Sequence, residues 1–217
     1  MISHIVAVAD LHGRIPQSVP ECDLLIIAGD ISPNACRDYD LVQSWMNKRF
    51  KPWLEKVPAR HIVGIAGNHD FVFRDRQDVI PENLRWNYLQ DSGVEIEGVR
   101  IWGTPWSLRY DGWAFEAEEE ELEQRYSAVP NDTDIIVSHC PPRGISDVCY
   151  AGAEHIGSKA LLTRVCELRP KLVVFGHAHT GHHGPVVIVP GTVGYNVACA
   201  DSLNRPAYLP TEISVQS

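Results

Sequence analysis

Five short apolar runs, rich in β-branched residues, are each followed within a few positions by metal-binding side chains, and this pairing constrains the fold most. The runs are Ile5–Val8, Leu24–Ile27, Ile62–Ile65, Ile135–Val137 and Leu172–Phe175. Each is too short for a helix and almost continuously apolar, the pattern of a strand buried on both faces of a sheet. Their followers are Asp10-Leu11-His12-Gly13, Gly29-Asp30, Gly67-Asn68-His69-Asp70, Ser138-His139 and Gly176-His177-Ala178-His179. Open α/β sheets collect ligands outside the carboxyl ends of their strands. Five such ends therefore bring residues distant in sequence to one edge.

The segments between the runs supply the remaining layers. Val42, Trp45, Met46, Phe50 and Trp53 follow a 3.6-residue spacing, as do Leu161, Val165 and Leu168 after the candidate cap Ser158, so both stretches read as amphipathic helices covering a sheet. Val94–Ile96 and Val99–Gly103 suit a hairpin turning at Glu97-Gly98, and Val186–Val189 and Val193–Val197 suit another turning at Pro190-Gly191. Antiparallel strands joined to βα units make the class α/β with mixed sheets. At 217 residues, against about 150 per domain, the chain is expected to form a single domain over residues 1–217.

Lys and Arg number 19 against 28 Asp and Glu, a net charge of −9. That balance opposes stable binding to nucleic acid or to an anionic membrane surface. No run reaches the ~18 apolar residues of a membrane span, and Met1–Val6 lacks the basic and apolar regions of a signal peptide. Six cysteines stand singly at 22, 36, 140, 149, 166 and 199, which suits a reducing compartment; the expected location is the cytoplasm.

The convergent donors are two aspartates, an asparagine and five histidines. Nitrogen and oxygen donors without thiolate fit borderline divalent ions such as Mn, Fe, Co, Ni or Zn. The set is too large for one ion, and a shared carboxylate holds two ions about 3.5–4 Å apart. Two divalent cations outweigh two carboxylates and a hydroxide, leaving a locally positive site for phosphate inside an acidic chain.

In order, these residues resemble the signature of the calcineurin-like metallophosphoesterases: D-x-H, G-D, G-N-H-[DE], a lone H, and G-H-x-H. The match runs from Asp10 to His179. The resemblance implies an αββα sandwich of two mixed β-sheets flanked by helices. It implies one metal on Asp10, His12 and His179, a second on Asn68, His139 and His177, and Asp30 between them. It also makes His69 the acid for the leaving group, held and oriented by Asp70, with a metal-bridging hydroxide attacking phosphorus in line. Ser138-His139-Cys140-Pro141-Pro142-Arg143-Gly144, Gly103-Thr104-Pro105-Trp106 and Tyr195-Asn196-Val197-Ala198 are similar to the small metallophosphoesterase-domain-containing branch, related to class III cyclic-nucleotide phosphodiesterases. A small phosphodiester, such as a 2′,3′- or 3′,5′-cyclic nucleotide, is the substrate this implies. The alternatives are a phosphomonoesterase or protein phosphatase of the same superfamily, or a metal-bound interaction module without activity. The segment from Leu108 to Val129 departs from the pattern by inserting a glutamate run.

Other residues have two readings each. Arg143 suits a non-bridging phosphate oxygen, or equally an acidic neighbour or solvent. Trp106, Tyr110, Trp113 and Phe115 form a local core or a stacking face for a base. Glu116, Glu118–Glu121 and Glu123 read as a solvated helix start. His4, His61, His155, His182 and His183 read as structural or surface residues, with His182 and His183 best placed to reach the rim. Cys140, beside His139, reads as packing.

Overall fold

In a computed structural model that describes residues 1–34, 37–149 and 154–214, the five apolar runs are strands divided between two sheets. Cys36 lies outside the described residues. The first sheet contains β1 (His4–Val8), β2 (Cys22–Ala28), β3 (Ala59–Ile65) and the short β4 (Asn87–Tyr88). The second contains β5 (Ser92–Ile96), β6 (Val99–Thr104), β7 (Ile135–Ser138), β8 (Leu172–Phe175), β9 (Pro185–Val189) and β10 (Thr192–Asn196). A last strand, β11 (Thr211–Ser214), pairs antiparallel with β1. The orders are β11-β1-β2-β3-β4 and β9-β10-β8-β7-β6-β5. Both sheets are mixed: β1 to β4 pair in parallel, as do β6, β7, β8 and β10, whereas β5/β6 and β9/β10 are antiparallel. Glu97 and Gly98 at the first hairpin tip have φ of 51° and 81°, the positive values a two-residue type I′ turn requires.

Alternate side chains along each strand face opposite layers. Ile5, Ala7, Leu24 and Ile26 point between the sheets toward Ile135, Val137, Leu172 and Val174. Val6, Val8, Leu25 and Ile27 face outward onto α1 (Tyr39–Trp45), α2 (Lys51–Lys56) and α3 (Phe71–Asp75). On the other side Ile136, Val173 and Phe175 pack against α4 (Glu119–Ser127) and α5 (Lys159–Leu168). The layers are thus helix, sheet, sheet, helix, as expected. Burying a Val, Ile, Leu or Phe side chain is worth ~1.5–3 kcal/mol, so three apolar layers outweigh the weak propensity of any one short strand.

Two local readings need correction. The helix around Val42–Trp53 is interrupted by a π-helical turn over Met46–Phe50, where the Lys51 N–H reaches back to the Met46 carbonyl. Pro52 follows directly, in the first turn of α2. It has no N–H to donate, and its ring crowds the preceding turn, so the widened turn absorbs it. The glutamate run does start a helix, with Glu119, Glu120 and Glu121 in the first turn of α4, but Glu119 is engaged. Its carboxylate accepts from Ser158 Oγ, Lys159 N and Ala160 N at 3.0, 2.7 and 3.1 Å. It reinforces the Ser158 cap, whose Oγ accepts from Leu161 N at 3.1 Å, and places negative charge at the positive end of the α5 dipole. Among the described residues no helix is long and apolar enough to cross a membrane.

Candidate metal centre

The strand ends lie level across each sheet. Val8 stands beside Ile27 and Ala28 beside Ile65 in the first; Thr104, Ser138, Phe175 and Asn196 stand side by side in the second. Beyond them the backbone turns sharply into left-handed conformation at Asp10 (φ 56°), His12 (43°), Asp30 (52°) and His177 (66°). Each such residue costs about 1–3 kcal/mol. Backbone bonds hold them there, among them Asp10 N to Gly29 O at 3.0 Å and His12 N to Asp30 O at 2.9 Å. Two glycines of the motifs are dictated by space. A Cβ on Gly67 would fall 2.3 Å from Asp30 Oδ1, and one on Gly176 2.4 Å from Asp10 Oδ2.

The side chains then meet in two groups. In one, His179 Nε2 lies 3.0 Å from Asp10 Oδ1 and 3.3 Å from His12 Nε2. In the other, His139 Nε2 lies 2.9 Å from Asn68 Oδ1, and the His177 ring centroid is 5.0 Å from that of His139. Asp30 stands between, its Oδ2 being 3.4 Å from His139 Nε2 and 3.9 Å from His12 Nε2. Neighbouring carbonyls set the ring orientations: His139 Nδ1 bonds Ala28 O at 2.9 Å and His179 Nδ1 bonds Asp201 O at 2.9 Å, which turns both Nε2 atoms inward. Two facing imidazole nitrogens cannot both carry an inward proton, and His12 Nδ1 is buried without a hydrogen-bond partner. A cation held by Asp10, His12 and His179 would satisfy these lone pairs. The donors therefore fit divalent ions.

Electrostatics favour the same conclusion. Burial pushes His12 down to about 4, and burial with the His139 charge pushes His177 down to about 3. Both rings are neutral at physiological pH, the form in which imidazole can bind a metal. Burial also opposes charge on His139 and His179, but Asp30 for the first and Asp10 for the second outweigh it and raise each to about 9. Asp30 itself, despite burial, is held well below the usual carboxylate range by His139 and His69. Without a metal, the two carboxylates draw protons onto the histidines; a divalent ion replaces them. Burial pushes the Cys140 thiol up to about 12, leaving it no thiolate for nucleophilic chemistry.

Several roles expected from sequence fall elsewhere. Asp70 is fully buried, yet its carboxylate accepts from the backbone N–H groups of Ile31, Ser32 and Gly67 at 3.0, 2.7 and 2.9 Å. His69 Nδ1 has no hydrogen-bond partner. The Asp70 carboxylate thus bonds the loops that carry Asp30 and Asn68 and, among the described residues, makes no hydrogen bond to the His69 ring, on which Trp113 is stacked at 4.4 Å between centroids. Arg143 donates from Nη1 to His155 O at 3.0 Å and, among the described residues, meets neither the cleft nor an acidic side chain. Phe115 is buried core. Trp106 donates to Asp91 Oδ2 at 2.7 Å beneath the Arg125 guanidinium. Tyr110, 80 % exposed, lines a cleft of about 380 Å³ with Trp113, His69, Asn68 and His179. Arg109 and His155, neither marked by a sequence motif, line it too. His182 is absent from that lining, and His183 stacks on Tyr208.

Comparison with known proteins agrees with this geometry. The chain is 32% identical to the human Metallophosphoesterase domain-containing protein 1 (Homo sapiens) over 98% of its own length and 71% of the relative's. It is 31% identical to UPF0046 protein K07C11.7 of Caenorhabditis elegans, over 82% of this chain and 64% of that one. Among solved structures, TT1561 of Thermus thermophilus shares the fold with a TM-score of 0.59 at 14% identity, covering 90% of this chain and 89% of the other. The profile of the calcineurin-like phosphoesterase family matches residues 3–181. Two level strand edges, two buried aspartates and the histidines gathered around them thus have a shared origin: the chain belongs to the calcineurin-like phosphoesterases, metal-dependent hydrolases of phosphoric esters.

Proposed function

We propose that residues 1–217 form one domain that hydrolyses small phosphodiesters, cyclic nucleotides among them, with two divalent ions. The observation that carries this reading is the position of Asp30 Oδ2, within 3.4 Å of His139 Nε2 and 3.9 Å of His12 Nε2, where one carboxylate serves both donor groups. Asp10, His12 and His179 would hold one ion, and Asn68, His139 and His177 the other. Such a pair supplies Lewis-acid stabilisation of phosphoryl oxygens and a nucleophile at neutral pH. The chain contributes the rest. Asp10 and Asp30 set the charge of the site, and Asp70 keeps both loops closed. His69, on the cleft wall, is the group placed to give a proton to the departing oxygen. Trp113 covers its ring and limits the water around it. An exposed Tyr110 and a cleft of about 380 Å³ leave room for a second ester arm, which favours diesters over monoesters. The singly spaced cysteines support the cytoplasm as its compartment.

The test is metal content together with turnover of bis(p-nitrophenyl) phosphate and p-nitrophenyl phosphate. Two ions per chain and a higher kcat/KM for the diester are expected. Higher activity on the monoester makes the protein a phosphatase, and bound metal without turnover makes it an interaction module.

A further inference from the structure

The cleft lined by Asp30 and His69 carries a second ordered imidazole, His155. His155 Nδ1 lies 2.7 Å from Asp147 Oδ1, and the Asp147 side chain is 1% exposed while that of His155 is 49% exposed. The other oxygen of Asp147 accepts from Gly144 N at 2.9 Å and Gly157 N at 3.2 Å. A Cβ on Gly157 would stand 2.7 Å from that oxygen and 2.8 Å from Pro142 O, so no other residue lets the carboxylate in. Arg143 fastens the His155 carbonyl, and Ile156 N donates to Asp147 O at 3.0 Å. Burying a carboxylate is costly unless its oxygens are satisfied. Here both are, and one of the bonds is spent on aiming a half-exposed ring. With Nδ1 held, Nε2 is the nitrogen left to the cleft.

The same cleft limits what that nitrogen meets. The Arg109 guanidinium is already paired with Glu118 at 2.8 Å, and Glu116 and Glu154 also line the cleft. A second anionic group would be repelled there, whereas an uncharged arm bearing hydroxyl or ring-nitrogen groups would not. We propose that His155, positioned by Asp147, is a specificity residue that hydrogen-bonds the polar, uncharged arm of the phosphoester, such as a nucleoside. The assignment rests on the phosphoesterase reading and names the part of the substrate that the metal centre does not hold.

Two diesters with the same leaving group test it on the metal-loaded full chain: the p-nitrophenyl ester of thymidine 5′-monophosphate and bis(p-nitrophenyl) phosphate. His155→Ala is expected to raise KM for the nucleoside ester about tenfold, the worth of one good hydrogen bond. Its kcat on that ester, and both constants for the bis-aryl ester, should stay within about twofold. His155→Gln should recover most of the loss, and Asp147→Asn should reproduce the rise in KM without a fall in kcat. Calorimetric titration with thymidine 5′-monophosphate and with inorganic phosphate gives a readout independent of turnover: His155→Ala should weaken the first about tenfold and leave the second unchanged. Equal losses on both diesters, or no change in nucleotide binding, would overturn the assignment. A wild-type chain that binds the nucleotide through His155 yet turns over no ester would overturn the phosphoesterase reading alone. Failure to bind either probe would overturn both.

Discussion

The indole of Trp113 lies over the imidazole of His69, centroids 4.4 Å apart and planes 28° from parallel. The Trp113 main chain is fixed at both its polar groups: its carbonyl accepts from Arg74 Nη1 at 3.0 Å and its backbone N–H donates to Glu116 Oε2 at 2.9 Å. Removing the indole frees the His69 ring without touching a metal-facing atom. Trp113→Ala should keep two ions per chain and lower kcat about 10²-fold, the cost of a small misplacement of a reacting group. His69→Ala should lower it by ~10²–10⁴. Both losses should shrink for esters with very acidic leaving groups, as a series of substituted phenyl esters will show; a loss independent of the leaving group argues against proton donation by His69.

Asp30 is the side chain nearest both donor groups, and it also accepts from His69 N at 2.8 Å. Asp30→Ala should therefore lower metal content further than alanine at Asp10, His12 or Asn68, to below one ion per chain. Elemental analysis of the dialysed variants decides it, and two ions retained at wild-type affinity would remove Asp30 from the bridging position.

Asp70 should behave as a structural carboxylate. Its replacement by Asn leaves an amide NH₂ facing backbone donors, at about 1–3 kcal/mol for each N–H left unsatisfied. Urea unfolding of metal-free Asp70→Asn should show that loss of stability. The variant's pH profile of kcat should keep the wild-type shape, because no proton relay to His69 is lost.

Asp201 ties the metal centre to acid stability. Bonds from the Arg205 guanidinium, and then from the Arg205 and Leu203 N–H groups, hold its carboxyl at about 2. A depressed folded-state value adds stability that is complete above the unfolded value of about 3.9 and is lost as pH falls through about 2. Wild type should exceed Asp201→Asn in Tm at pH 7, with the gap closing between about pH 4 and pH 2. The loop those side-chain bonds hold also carries the Asp201 carbonyl that meets His179 Nδ1, so its loosening in the variant should also weaken metal binding at pH 7.

The strands and most of the side chains gathered at the centre are legible in the sequence because they depend on local pattern: a buried β-branched run, then a polar residue at its carboxyl end. The αββα order follows from family resemblance and the mixed pairing. Asp70, Arg143 and Glu119 depart from their sequence readings for a common reason. Each bonds a backbone group 12 to 41 residues away, and those partners are aimed by turns and cap geometry that spacing does not encode. His155 looks like a surface histidine in the sequence. Its one cue there is the pair of glycines, Gly144 and Gly157, that bracket it and Asp147 in the sequence. Trp113 stands out as an aromatic that could stack on a base, whereas the ring it covers belongs to the chain itself.

The two sheets are joined unequally at their ends. Beside Asp10, Ala9 N donates to Val197 O at 3.0 Å and Cys199 N donates to Ala9 O at 2.9 Å, a stitched spine of amide bonds. At the far end the hairpin tip reaches across through the Glu97 carboxylate, which is hydrogen-bonded to Arg60, to His61 and to the Met1 amino group. Partly exposed ion pairs contribute little and weaken as salt rises, whereas amide bonds do not. Salt should therefore loosen the hairpin tip opposite the metal centre, while the apolar layer between the sheets, Ile96 and Ile101 included, keeps them together and the amide-stitched end is unaffected.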